Sequence, residues 1–217
     1  MMMDKFRKRF AARSREETLF DVHRSRRAST YVLSSGAASP DYVDIDGYYL
    51  GSEGDHDFDP ARAQQRLTEL VELVVPAILE AVDRLSITRL AFAEKQDNGP
   101  VGALALMGLI LYHSGLEGCV VRPDRRLLPA RVKGRPVLPG ERIMIVGDVA
   151  TTGGTISKPA KCLRELGATV PAAFVFLDRG QGARERLRVE GVELIGFWDA
   201  TEVDDKLKSR LEVALVH

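Results

Sequence analysis

RIMIVGDVATTGGTISKPAKCLRELG, residues Arg142 to Gly167, carries the strongest local pattern in the chain. Ile143, Met144, Ile145 and Val146 form an apolar run short enough for one buried strand. Ile156 to Leu166 has helical spacing, and Gly167 stands where a helix-ending glycine belongs. Between them lies Thr151-Thr152-Gly153-Gly154-Thr155. Glycines let the backbone turn sharply, so several N–H groups converge on an anion at a helix N-terminus while threonine hydroxyls complete the cradle. Asp148 falls at the carboxyl end of the expected strand, where open α/β sheets bind ligands. Strand, acid, Thr/Gly loop and helix together read as a site for a phosphorylated sugar. The motif lacks GxGxxG and the lysine of a P-loop, which counts against dinucleotides and nucleoside triphosphates.

VGDVATTGGT is similar to the phosphoribosyl-diphosphate (PRPP) loop of type I phosphoribosyltransferases. The resemblance implies that Asp148 holds the ribose hydroxyls, and that Thr151, Thr152, Gly153, Gly154 and Thr155 hold the 5′-phosphate. The family motif has two adjacent acids, and here the first of them is Gly147.

The chain has 217 residues, enough for an α/β domain with a small appendage and a sizeable core. Basic and acidic residues both number 31, so global charge gives no argument for nucleic acid. The two cysteines, Cys119 and Cys162, lie in apolar patterns and read as buried thiols of a reducing compartment. The basic N-terminus lacks the apolar stretch of a signal peptide, and no run approaches membrane-spanning length. The expectation is a soluble cytoplasmic protein.

Residues 1–27 are rich in Arg and Lys, with a solvated helix expected around Ser14 to His23, where Ser14 and Glu17 resemble a capping box. Residues 30–50 alternate at Tyr31 and Leu33, then at Val43 and Ile45, around a Ser/Gly/Ala/Pro turn, which predicts a hairpin. The segment also resembles the N-terminal hood of orotate phosphoribosyltransferases through Leu33, Ser35, Gly36, Ser39, Tyr42 and Asp44. That likeness implies a base-binding role for Ser35 and Gly36, beside Thr151. His56 among Asp55, Asp57 and Asp59 reads as a polar loop rather than a metal site, because adjacent side chains on one loop rarely aim at one ion.

From residue 60 onward strand and helix alternate, the pattern of a parallel sheet covered on both faces. Asp59-Pro60 opens a long helix with apolar residues from Leu67 to Val82, and Thr88 to Ala93 is the next strand. Lys95 follows in a charged loop (94–98), where the resemblance implies a contact with the diphosphate. After the strand at Cys119 to Arg122 comes a segment rich in proline and arginine, RPDRRLLPARVKGRPVLPGE. In the orotate enzymes this is a mobile catalytic loop, so 123–137 is expected to be mobile and Arg122 and Arg126 are expected to stabilise the leaving diphosphate. Pro123 and Leu128 replace a lysine and a histidine of that pattern. Leu177-Asp178-Arg179 with Gly182 resembles the base-recognition segment, in which Arg179 pairs with the substrate carboxylate. A helix from Ala183, a strand from Val192 and a terminal helix over 202–213 complete the reading.

The expected architecture is α/β: a parallel-sheet, Rossmann-like phosphoribosyltransferase core over 51–217 with an N-terminal basic helix and hood over 1–50. The resemblance implies transfer of phosphoribose from PRPP to orotate, with Arg122, Arg126 and Asp148 catalytic. It further implies Mg²⁺ bound mainly through PRPP, no metal site of the protein's own, and a homodimer without membrane or nucleic-acid partners. The second reading is a repurposed PRPP- or nucleotide-binding regulator of the same fold.

Overall fold

The computed structural model describes residues 21–24, 31–32, 38–39, 41–44, 60–93, 102–122 and 131–199. The chain divides into two compact units, Met1–Thr88 with Lys95–Gly118, and Arg89–Glu94 with Cys119–His217.

In the first unit, β1 (Asp21–Arg24) pairs antiparallel with β4 (Asp41–Asp44), and β2 (Tyr31–Val32) pairs with β3 (Ala38–Ser39). This corrects two expectations. His23 lies in a strand rather than a helix, and Val43 faces Val22 across the ladder instead of returning to residues 31–33. A capping box and helical spacing are local signals, and cross-chain pairing overrides them. Helix α1 (Pro60–Leu85) begins at the proline, whose fixed φ suits the first helical position and whose missing N–H is not needed there. It runs unbroken through Pro76 and buries Leu70, Val71, Val74, Ile78, Ala81 and Val82. Helix α2 (Gly102–Ser114) lies in contact with it.

The second unit is built on a six-stranded sheet of order β10-β9-β8-β5-β6-β7. Its members are β5 (Arg89–Ala93), β6 (Gly118–Arg122), β7 (Arg131–Lys133), β8 (Ile143–Ala150), β9 (Ala172–Asp178) and β10 (Glu193–Asp199). β5, β8, β9 and β10 pair in parallel, whereas β7 closes the edge antiparallel to β6. Residues 131–133 therefore form a strand inside the segment expected to be a mobile loop. Of the rest of that segment, 134–137 follow as irregular chain and 123–130 lie outside the described residues, as do the loop expected over 51–59 and the helix expected over 202–213. After β6 the chain crosses back to the other side of β5, so the order reverses between β5 and β8. Such a reversal marks the usual ligand crevice of an open α/β sheet, outside the carboxyl ends of the two strands.

Every residue of β9 is buried, as a central strand covered on both faces requires. On one face Ile143, Ile145, Ala173, Val175 and Leu194 pack with Ile156, Ala160 and Leu163 of α3 (Gly154–Glu165), and with Ala183 and Leu187 of α4 (Ala183–Val189). The alternate residues put Phe174 against Phe176 and Phe197, with ring centroids 6.4 Å apart in both pairs. Cys119 and Cys162 are both buried free thiols, and burial pushes both sulfhydryls up from their ordinary value.

Helix α3 ends where the sequence places its end. Ala168 N–H donates to Leu163 O (3.1 Å) and Gly167 N–H to Arg164 O (2.9 Å), the two bonds of a Schellman cap. Gly167 takes φ +89°, and a Cβ there would also sit 3.2 Å from Pro139. At the amino end of the sheet, fully buried Arg89 donates to Arg135 O (2.8 Å) and Pro136 O (3.3 Å) and lies 3.6 Å from Glu141. Its guanidinium ties the approach to β8 down on the start of β5.

Candidate active site

β8 delivers the central motif to the crevice. Asp148 is half-buried near its carboxyl end, with Oδ1 accepting from Val149 N–H at 2.7 Å. Thr151 and Thr152 follow half-buried, Gly153 is buried, Gly154 half-buried and Thr155 exposed. Gly153 is the N-cap of α3 with φ +77°, and no side chain caps the helix. Its carbonyl accepts from Ile156 and Ser157 N–H at 3.1 and 2.9 Å. The first-turn N–H groups of Gly154 and Thr155 have no intrahelical partner, so they and the helix dipole favour an anion.

A second loop is bonded to this one. Arg179, just past β9, donates its N–H to Ala150 O at 2.9 Å, and Ala183 donates to Thr151 O at 3.1 Å. The turn between them is held from below by Asp178, which is buried. Its Oδ1 accepts from Gly180 N–H at 3.0 Å, and its Oδ2 from Arg184 Nη2 at 2.9 Å. Arg184 Nη1 also donates to Leu194 O at 2.9 Å, anchoring the turn to the start of β10. Asp178 and Arg184 thus position Arg179 beside the Thr/Gly loop, a role that the sequence reading did not assign. The Asx turn of Asp-Arg-Gly was a legible signal, but Arg184 as its partner was not.

Asp148 near the end of β8, Thr151, Thr152 and Gly153 in the turn after it, Gly154 and Thr155 in the first turn of α3, and Arg179 on the adjoining loop therefore gather at the carboxyl ends of β8 and β9. Arg122 is the last residue of β6, beside Arg131 in the ladder. Ser35, Gly36, Lys95 and Arg126 lie outside the described residues.

No family model matches the chain. It is 29% identical to an orotate phosphoribosyltransferase of Staphylothermus marinus over 84% of its own length and 80% of that protein. A second, from Methanothermobacter thermautotrophicus, is 26% identical over 76% and 79%. The crystal structure of orotate phosphoribosyltransferase from Aeropyrum pernix matches with TM-score 0.63 and 26% identity, covering 96% of this chain and 99% of that one. The chain is most like the orotate members of the type I phosphoribosyltransferase family. Adenine phosphoribosyltransferase from Thermoanaerobacter pseudethanolicus shares the phosphoribosyltransferase fold at TM-score 0.52 and 20% identity. Among the described residues, no helix is long and apolar enough to cross a membrane.

Proposed function

We propose that this chain transfers the phosphoribosyl group of PRPP to orotate or a related acidic base, giving orotidine 5′-monophosphate and diphosphate in pyrimidine nucleotide synthesis. The observation that carries the reading is the pair of backbone bonds from Arg179 and Ala183 to Ala150 and Thr151. They set a guanidinium-bearing turn directly beside an anion-binding loop, so phosphate and acidic base have neighbouring partners.

In the reaction a ring nitrogen of the base attacks C1 of the ribose while the C1–O bond breaks and its electrons leave with diphosphate. Positive charge builds on the ribose ring and negative charge on the leaving group. The Thr151–Thr155 loop fixes the 5′-phosphate, Asp148 orients the ribose hydroxyls, and Arg122 and Arg126 meet the departing diphosphate. Arg179 pairs with the base carboxylate. Among the described residues no three His, Cys, Asp or Glu side chains gather to hold an ion. Asp148 supplies a hard oxygen donor, so Mg²⁺ fits as a cation carried mainly by PRPP oxygens, where it neutralises phosphate charge when bound. The functional unit is a homodimer in the cytoplasm.

The second reading keeps PRPP or nucleotide binding and drops the chemistry. Gly147 favours it, standing where the family has its first acid. It does not take positive φ, and a Cβ there would meet Val175 Cγ1 at an ordinary 3.6 Å. Neither backbone nor packing therefore requires glycine at this position.

Initial rates with PRPP, Mg²⁺ and orotate or uracil test the proposal. Arg179→Ala is expected to lower kcat/KM for orotate about thirtyfold or more, since removing one partner of an enclosed charge pair costs about 2–5 kcal/mol. PRPP binding should stay within severalfold. Tight PRPP binding without turnover of orotate would move the assignment to the binding protein.

A further inference from the structure

The side chains of the Thr/Gly loop bring no positive charge to a polyanionic substrate: Thr151, Thr152 and Thr155 are neutral and Asp148 is an acid. A cation reaches the same place from α4. A Cβ built on Gly154, the first residue of α3, would lie 3.7 Å from Arg186 Nη1 and 4.0 Å from Thr152 Oγ1. A guanidinium nitrogen and a loop hydroxyl thus flank one point on the first turn of α3. Gly154 does not take positive φ, and both distances are ordinary contacts. Backbone geometry and packing leave this glycine unexplained, whereas room for a ligand between Arg186 and Thr152 accounts for it.

The other contacts of Arg186 are weak. Its Nε is 3.5 Å from Glu190 Oε1, and its side chain is 48% exposed, a pairing of small worth in water. Glu190 is held more firmly, with the same Oε1 accepting from Ser157 Oγ of α3 at 2.8 Å. Nη1 and Nη2 of Arg186 make no hydrogen bond among the described residues.

We propose that Arg186 is a further ligand of the substrate's 5′-phosphate, supplied by α4 across the first turn of α3, with Glu190 positioning its guanidinium and competing for it. The inference rests on the reading of Thr151–Thr155 as the PRPP loop. Chemically, a phosphate dianion accepts short charge-assisted bonds from a planar guanidinium, and the half-buried Glu190 carboxylate, 3.5 Å from Nε and already accepting from Ser157, is the weaker partner.

The test measures affinity for PRPP with Mg²⁺, and separately for inorganic phosphate, by calorimetry at low and high salt, alongside thermal melting. Wild type is compared with Arg186→Ala, Arg186→Lys, Glu190→Gln and Thr152→Val. Arg186→Ala is expected to weaken both ligands about tenfold and to flatten the salt dependence, with Arg186→Lys restoring part of the loss. Glu190→Gln is expected to tighten both severalfold, because it removes the competing charge while keeping an acceptor for Ser157. A merely structural network would make Glu190→Gln weaken binding instead, and that result overturns the proposal. So does Arg186→Ala binding within twofold of wild type at low salt while Thr152→Val weakens binding, which leaves the loop reading standing. If wild type binds neither PRPP nor phosphate, the loop reading itself fails and the role of Arg186 falls with it.

Discussion

Two adjacent glycines, identical in the sequence, should respond oppositely to the same substitution. Gly153 takes φ +77°, and a Cβ there would sit 3.3 Å from Leu187 Cγ and 3.4 Å from Ala183 Cα. An alanine meets a left-handed backbone cost of about 1–2 kcal/mol. It must also push α4 away from α3 by a few tenths of an ångström, an overpacking cost of about 1–3 kcal/mol. Gly153→Ala should therefore lower stability by about 2–5 kcal/mol, or Tm by roughly 4–20 °C for a chain of this size. Gly154 has neither problem, so Gly154→Ala should be neutral or stabilising by up to about 1 kcal/mol through helix propensity. Urea denaturation and scanning calorimetry on both variants measure the difference. Moving the N-cap also misaligns the first-turn N–H groups, so Gly153→Ala should weaken PRPP binding by about tenfold. Equal destabilisation by both substitutions, or an unchanged Tm in Gly153→Ala, would refute the account of how the loop is built.

Two further outcomes follow from buried or partly buried ion pairs. Asp178→Ala should cost about 2–4 kcal/mol, since buried Asp178 accepts from both Gly180 and Arg184. A double-mutant cycle with Arg184→Ala should show coupling of about 1–2 kcal/mol, and additivity within about 0.3 kcal/mol would deny that the two act together. Glu141 gives a pH signature. Burial raises its pKa, but Leu138 N–H and the Arg135 and Arg89 guanidinium groups outweigh burial and hold it below the usual 4.5. A depressed carboxylate stabilises the fold above its unfolded pKa and loses that contribution as pH falls through the folded value. The stability gap between wild type and Glu141→Gln should be widest near neutrality and shrink on acidification below about pH 4.5. A gap independent of pH, read from urea titrations, would contradict the arrangement.

Much of the second unit was written locally. Apolar runs gave away β8 and β9, helical spacing gave away α3 and α4, and Gly167 marked the end of α3 because the αL cap needs a residue without a Cβ. The Thr/Gly loop and Asp148 were legible for the same reason, since strand, turn and helix signals within a few residues place them at a sheet's carboxyl edge. Long-range pairing was not legible. β7 disappears into a basic, proline-rich segment because three residues carry little periodicity until β6 supplies their hydrogen bonds. β1 likewise acquires its partner β4 from a distance, against a local helical signal around Ser14 to His23, and β4 was legible as a strand but not by its partner. The same holds for the supports of the site. Arg89 reaches carbonyls 46 and 47 residues away, Arg184 joins Asp178 to Leu194, and Arg186 meets Gly154 across the face of two helices. A local sequence specifies backbone conformation through steric and hydrogen-bond preferences within a turn or two. Which charged side chain closes on which loop is settled only when packing sets the distances, because an ion pair or a shared phosphate contact depends on separation in space and not along the chain.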